Sequence, residues 1–212
     1  MRLIPSVPRA ILALLLGLLL PACATGGGAG AVAGDACLPI GLNRWRVVDG
    51  GSQRVLRVWI DEENQVPDGW STYGKRRLRA AMARWNTLRL PVRMELAESR
   101  GVADIEVSIV DSVPVRQQMR EASQAGATRV ISVPSGEIEK AHVLVAVAAS
   151  YGVRYRLPAQ ETTLVHELGH ALGLPHATGP RALMSARGSI ATLTGTDIAL
   201  ARSHYHRPRC AS

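Results

Sequence analysis

The sequence predicts an α+β fold that contains five β-strands and several long helices. Several stretches alternate between apolar and polar residues and are rich in β-branched side chains, which is typical of strands. Other stretches carry apolar residues at helical spacing, and one of these places His166 and His170 four residues apart. A chain of 212 residues is long enough to bury the core of one such domain.

The alternation is cleanest in the third predicted strand and weakest in the fifth. The fifth strand is an almost continuous apolar run, which predicts that it is buried on both faces of the sheet. The predicted strands span residues 55–60, 92–97, 103–109, 128–133 and 142–148.

The first predicted helix spans residues 73–88. Its apolar residues, among them Leu78, Met82 and Trp85, recur at helical spacing with arginines on the opposite face. Pro91 prevents the helix from continuing. The connections are predicted to be a turn-rich segment at residues 61–71 and an insertion at residues 112–127 that contains a short helix at residues 116–122.

A second helix is predicted around the histidines. Residues 160–163 offer threonine or glutamate as helix caps, ahead of an apolar stripe formed by Leu164, Leu168 and Leu172. We expect this leucine stripe to pack inward, so that the histidines on another face of the helix point into a cleft.

The histidine spacing predicts a metal centre. His166 and His170 lie on consecutive turns of one helical face, and Gly173 can end the helix so that His176 reaches the same ion. Three imidazole ligands with one open position describe a catalytic zinc site, whereas structural zinc is usually closed by four protein ligands. Glu167 lies on the flank of that face, where a carboxylate can act as general base without being a ligand.

The stretch from His166 to His176 resembles the metzincin signature H-E-x-x-H-x-x-G-x-x-H at all five fixed positions. Met184 follows at a distance that is similar to the Met-turn of that family, and residues 193–200 resemble the start of the closing helix of matrixins. The resemblance covers roughly residues 53–206. It implies a metzincin-like zincin fold with a five-stranded mixed twisted sheet, an active-site helix and a Met-turn.

The resemblance also implies a function. It implies one catalytic Zn²⁺ held by His166, His170 and His176, and an endopeptidase that uses Glu167 to activate water. A protein or peptide substrate is then expected to lie extended along an edge strand at residues 128–133. We expect the protein to be a monomer.

The N-terminus has the pattern of an export signal. Residues 1–23 contain a basic start and an apolar run, and they end in Leu20-Pro21-Ala22-Cys23, which resembles a bacterial lipobox with Cys23 as the lipidated residue. Residues 24–36 are almost wholly glycine and alanine and predict a flexible linker to the domain at 37–212. We therefore expect a lipid anchor in the outer membrane of a bacterial envelope. The alternative is ordinary cleavage after Ala22 or Ala24, which would give a secreted or periplasmic protein.

Two further cysteines lie near the ends of the folded part. In an oxidising envelope we expect Cys37 and Cys210 to form a disulfide. The alternative rests on Pro208-Arg209-Cys210, which repeats the three letters of a matrixin latency motif and would place Cys210 on the zinc.

The charge of the chain argues against nucleic acid as a partner. The net charge of +8 arises from scattered arginines, and the chain contains no phenylalanine for base stacking. Two other functions stay open at this point. One is an envelope binding or assembly protein with a structural or latent metal site, and the other is a zinc amidase acting on cell-wall peptide.

Overall fold

The computed structural model describes residues 37–39, 42–48, 52–61, 74–113, 125–149, 152–186, 190–208 and 210. All of them belong to one compact unit, Val32–Ser212. The predicted leader, linker and short helix lie outside the described residues, as do Cys23 and nearly all of the turn-rich segment at 61–71. The predicted domain boundaries stay predictions.

Five strands form one mixed sheet in the order β2-β1-β3-β5-β4. The neighbours among β2, β1, β3 and β5 are parallel, whereas β4 is antiparallel to β5 and forms one edge of the sheet. The strands span β1 Arg54–Ile60, β2 Val92–Leu96, β3 Ile105–Val110, β4 Gly126–Ser132 and β5 Ile138–Ala146. The predicted α+β fold with a five-stranded mixed sheet is confirmed.

Among the described residues, three α-helices accompany the sheet: α1 Gly74–Asn86, α2 Leu157–Ala171 and α3 Gly195–His206. The core lies between the sheet and helices α1 and α2, because alternate strand residues and the apolar helix faces are buried together. Trp85 of α1 is almost fully buried, and its indole N–H donates to the carbonyl oxygen of Val165 at 2.8 Å. This bond fixes α2 against α1. Among the described residues, no helix is long and apolar enough to cross a membrane.

The prediction that β5 is buried on both faces is wrong for its centre. Ala141 and Val143 are fully buried, whereas His142 and Leu144 are only partly buried. Helices α1 and α2 cover one face of the sheet, and the other face carries charged groups such as Glu106. An apolar run cannot show which of its faces receives a helix. The strand also begins at Ile138, four residues before the predicted start.

The predicted caps of α2 are wrong as well. The helix begins at Leu157 with Pro158 in its first turn, where proline fits because its missing N–H has no intrahelical acceptor. Thr162 and Thr163 therefore lie inside the helix, and their hydroxyls donate to the carbonyl oxygens four residues earlier, at 2.9 and 3.0 Å. The predicted leucine stripe is confirmed, since Leu164, Leu168 and Leu172 are all buried.

Candidate metal centre

Helix α2 presents two imidazoles on consecutive turns. The Nε2 atoms of His166 and His170 lie 3.0 Å apart, as expected for residues that share a helical face. His166 and His170 are partly buried, so their rings line a cleft rather than project into solvent.

The chain brings the third imidazole to the same point through a turn at Gly173. This residue has φ 89°, a left-handed conformation that favours glycine. Its N–H donates to the carbonyl oxygen of His170 at 2.8 Å, and the N–H of Leu174 donates to that of Gly169 at 3.1 Å, which is a Schellman ending. The Nε2 atom of His176 then lies 3.2 Å from that of His170.

The three Nε2 atoms fit a zinc ion. Ligands about 2.0–2.1 Å from a tetrahedral ion lie about 3.3 Å from one another, and the observed separations from His170 are 3.0 and 3.2 Å. The three histidines form the one group of three or more potential ligands found among the described residues. The donor set thus has the composition and spacing that zinc requires.

Hydrogen bonds on the far side of the rings orient two of the ligands. The Nδ1 atom of His166 lies 2.7 Å from the carbonyl oxygen of Leu183, and the Nδ1 atom of His170 lies 2.8 Å from that of Leu174. A carbonyl oxygen only accepts, so each Nδ1 carries the proton and each Nε2 keeps its lone pair for a metal. Burial lowers the pKa of His170 to about 4 and also lowers the pKa of His176, which keeps both rings neutral near pH 7.

The predicted Met-turn residue lies beneath the metal helix. Met184 is fully buried, and its side chain contacts the backbone of α2 so closely that a Cβ on Gly169 would overlap the sulfur. The carbonyl oxygen of Met184 accepts from the N–H of Ala177 at 2.8 Å, directly after His176. Met184 therefore packs against the segment that carries the ligands, as an apolar floor would.

Asp197 is a residue that the sequence reasoning missed. Its buried carboxylate accepts from the N–H groups of Leu183 and Met184, both at 2.9 Å, and forms a capping box with Thr194 at the start of α3. Burial acts to raise the pKa of Asp197, but these hydrogen bonds together hold it below its ordinary value. The carboxylate fixes the carbonyl oxygen of Leu183 that orients His166. In the sequence, the Thr-x-x-Asp spacing of Thr194 and Asp197 is typical of a capping box and could have identified Asp197.

Glu167 lies on the flank of the metal site and is only 6% exposed. The hydroxyl of Thr128 in β4 donates to its Oε2 atom at 2.7 Å. Gly126, in the same strand, leaves room for the carboxylate, since a Cβ there would lie 2.7 Å from Oε1. Burial raises the pKa of Glu167 to about 7, although the hydrogen bond from Thr128 acts in the opposite direction. No sequence signal pointed to Thr128 as a partner of Glu167.

A cleft of about 760 Å³ opens over these groups. One wall is formed by β4, which places the predicted substrate strand beside the metal ligands. The cleft is also lined by residues 173–176 and by Leu183, Ser185 and Ala186. Leu42 and Asn43, which precede the first strand, also line the cleft. A cleft of this size accommodates several side chains of a peptide.

Cys210 is bonded to Cys37 across 173 residues of sequence. The alternative in which Cys210 occupies the metal position is therefore contradicted by the structure. The sulfur atoms instead join the N-terminal end of the domain to the segment after α3.

Residues 63–205 match the Peptidase_M10 family model, which is described as Matrixin. The matched region contains the three histidines, Glu167, Met184 and Asp197. A comparison with curated proteins gave no significant match.

Proposed function

The chain belongs to the matrixin family of zinc metallopeptidases, and from this premise we propose that it is an endopeptidase acting on proteins at the cell envelope. The observation that carries the proposal is the position of Glu167. This buried carboxylate lies between the histidine group and the edge strand β4, inside a cleft large enough for a peptide.

The histidines and Glu167 have different roles in the proposed reaction. His166, His170 and His176 would hold Zn²⁺ through their Nε2 atoms. Bound zinc supplies Lewis acidity, which lowers the pKa of water and polarises a carbonyl group. Glu167 accepts the proton of the attacking water and donates it to the leaving amine. Its Oε2 atom accepts from Thr128, which leaves Oε1 to handle that proton.

The edge position of β4 supports a peptide substrate bound in extended form. β4 pairs with β5 on one side, and on the other side no strand among the described residues pairs with it. A substrate strand can add to that free side through backbone hydrogen bonds. Because β4 runs for seven residues, Gly126–Ser132, it offers backbone groups to several residues of an extended peptide.

The proposed location rests on the N-terminal sequence. Cys23 at the end of a lipobox-like stretch would carry the lipid anchor, and the linker at residues 24–36 would separate the enzyme from the membrane surface. Radiolabelled fatty acid should then be incorporated by the wild-type chain in a bacterial host and not by Cys23→Ser. Label in neither chain would exclude the anchor and favour the secreted alternative.

The test of the activity compares Glu167→Gln with wild type on a broad peptide library. We expect about one zinc ion per chain in both proteins and at least a thousandfold loss of turnover in the variant, the upper part of the range for removing a general base. Glu161→Gln is the matched control, since Glu161 lies on the same helix, is partly exposed and is not among the cleft-lining residues.

The outcomes separate the competing functions. Glu167-dependent cleavage of the library establishes the peptidase, and the cleavage sites define its preference. Cleavage restricted to cell-wall peptides would replace the endopeptidase with the amidase. Zinc binding without any cleavage would favour the envelope binding protein.

A further inference from the structure

The strap, defined here as residues 42–48, lies outside the matched region 63–205 and yet reaches the metal cleft. We propose that the strap is a wall of the substrate site and that Leu42 selects an apolar side chain of the substrate. The inference rests on the proposed peptidase function and extends it to substrate preference.

The strap is held in place by its backbone. The N–H of Arg44 donates to the carbonyl oxygen of Gly136 at 2.9 Å, and the N–H of Ile138 donates to that of Arg44 at 3.0 Å. These bonds connect the strap to the turn between β4 and β5. The Nε2 atom of His204 lies 2.9 Å from the carbonyl oxygen of Asn43, which connects the strap to α3.

Side chains of the strap add further fixed points. The guanidinium of Arg44 donates to the carbonyl oxygens of His204 and Arg207 at 3.1 and 2.7 Å, at the C-terminal end of α3. The indole N–H of Trp45 donates to the carbonyl oxygen of Ala171 at 2.8 Å, at the end of α2. The strap is therefore anchored by hydrogen bonds to the ends of two helices.

The strap contacts the turn at Gly173, which lies beside the metal site. The carbonyl oxygen of Asn43 packs against Gly173 so closely that a Cβ there would overlap it. Gly173 is the residue that redirects the chain towards His176. Leu42, next to Asn43, lines the same cleft as His176 and keeps 36% of its surface exposed.

An apolar side chain on a cleft wall discriminates between substrates. Burying it against an apolar residue removes both surfaces from water, whereas a charged substrate residue would lose hydration without a partner. In an apolar pocket, one methylene group more or less on the substrate changes the ratio of the two kcat/KM values by about 10- to 200-fold. We therefore expect cleavage sites with an apolar residue at the substrate position that contacts Leu42.

The test measures the cleavage profile of the full chain carrying Leu42→Asp. The preference for an apolar residue at one substrate position should fall by at least about tenfold, mainly through KM, while zinc content and the melting temperature stay at wild-type values. Leu42→Ala is a milder second variant and should shift the same position in the same direction. Val48→Asp is the matched control, because Val48 belongs to the strap, is 46% exposed and is not among the cleft-lining residues.

An unchanged profile in both Leu42 variants would overturn the inference, and so would an equal change in Val48→Asp. If wild type shows no Glu167-dependent cleavage, the proposed function fails. The role of the strap in ligand binding is then tested by equilibrium binding of the peptide library to zinc-loaded Glu167→Gln. Binding that weakens with Leu42→Asp and not with Val48→Asp supports the strap as a ligand wall. Equal binding, or no binding, overturns it.

Discussion

At the scale of single residues, the two carboxylate oxygens of Glu167 have different neighbours. Oε2 accepts from the hydroxyl of Thr128, and Oε1 lies near Gly126, where no side chain competes for space. Both partners belong to β4, so the strand proposed to hold the substrate also holds the general base. A shift of β4 would move both groups together, which keeps the carboxylate aligned with a bound peptide.

Replacing Thr128 with valine should show this coupling in the pH profile. The hydroxyl stabilises the ionised carboxylate, whose pKa of about 7 is already raised by burial. A hydrogen bond to a charged group is worth about 1.5–3 kcal/mol, so its loss raises the pKa by about one to two. The bound dication lowers the pKa in wild type. Hence the acidic limb of kcat/KM should lie below pH 7 in wild type and about one to two pH units higher in the variant, as measured with a cleaved peptide.

Thr128→Ser is the control, since it keeps the hydroxyl and should restore the wild-type limb. Both variants should bind zinc normally. A pH profile that is the same for valine and serine would show that Thr128 only fills space.

At the scale of structural elements, the end of α2 determines the metal site. The helix supplies His166 and His170, and its Schellman ending at Gly173 directs the chain to His176. The strap packs against this turn through the carbonyl oxygen of Asn43. The third ligand therefore depends on a backbone conformation and on a close backbone contact, and both favour glycine.

Gly173→Ala should weaken zinc binding. A side chain at this position meets both the left-handed φ of 89° and the carbonyl oxygen of Asn43, so the turn must shift and carry His176 with it. We expect the zinc affinity, measured by competition with a chelator, to fall by at least about tenfold, as when the support of a ligand is lost.

Gly179→Ala provides the comparison. Gly179 has a similar φ of 95°, but a Cβ there meets nothing within 4 Å. Its substitution should cost about 1–2 kcal/mol of stability and leave zinc affinity intact. Equal zinc affinity in the two variants would show that Gly173 is not needed to position His176.

At the scale of the whole molecule, a disulfide closes the described part of the chain into a loop. The disulfide Cys37–Cys210 is flanked by backbone hydrogen bonds in both directions between Leu38 and the segment at Pro208 and Cys210. This closure holds the N-terminal end of the domain next to α3, where Arg44 of the strap is also bound. The matched peptidase region thus lies inside a covalent loop.

Removing the disulfide should destabilise the domain. For a separation of 173 residues, the chain-entropy model gives about 5 kcal/mol as an upper figure. We expect the double variant Cys37→Ser/Cys210→Ser to unfold at a clearly lower denaturant concentration than oxidised wild type, and to match wild type kept in reductant. Identical unfolding of the variant and the oxidised protein would show that the bond adds no stability.

The family, the order of most elements and the histidine group were predictable because they depend on short-range patterns. Alternation marks strands, helical spacing aligns His166 with His170, and one glycine ends the helix before His176. The start of α2 was predicted wrongly because two threonines inside the helix look like caps, whereas Pro158 in the first turn is the actual start signal.

The sequence by itself determined which residues can bind zinc and which carboxylate stands beside them. Only the tertiary structure decided which residues support them. Thr128, 39 residues away in the sequence, donates to Glu167, and Asp197 of α3 accepts from the N–H of Met184. The strap contacts the turn that precedes His176. These contacts depend on β4 pairing antiparallel with β5 at the sheet edge and on the segments around Cys37 and Cys210 meeting. Such long-range packing leaves no local period in the sequence, because it is a property of surfaces that meet only in the folded chain.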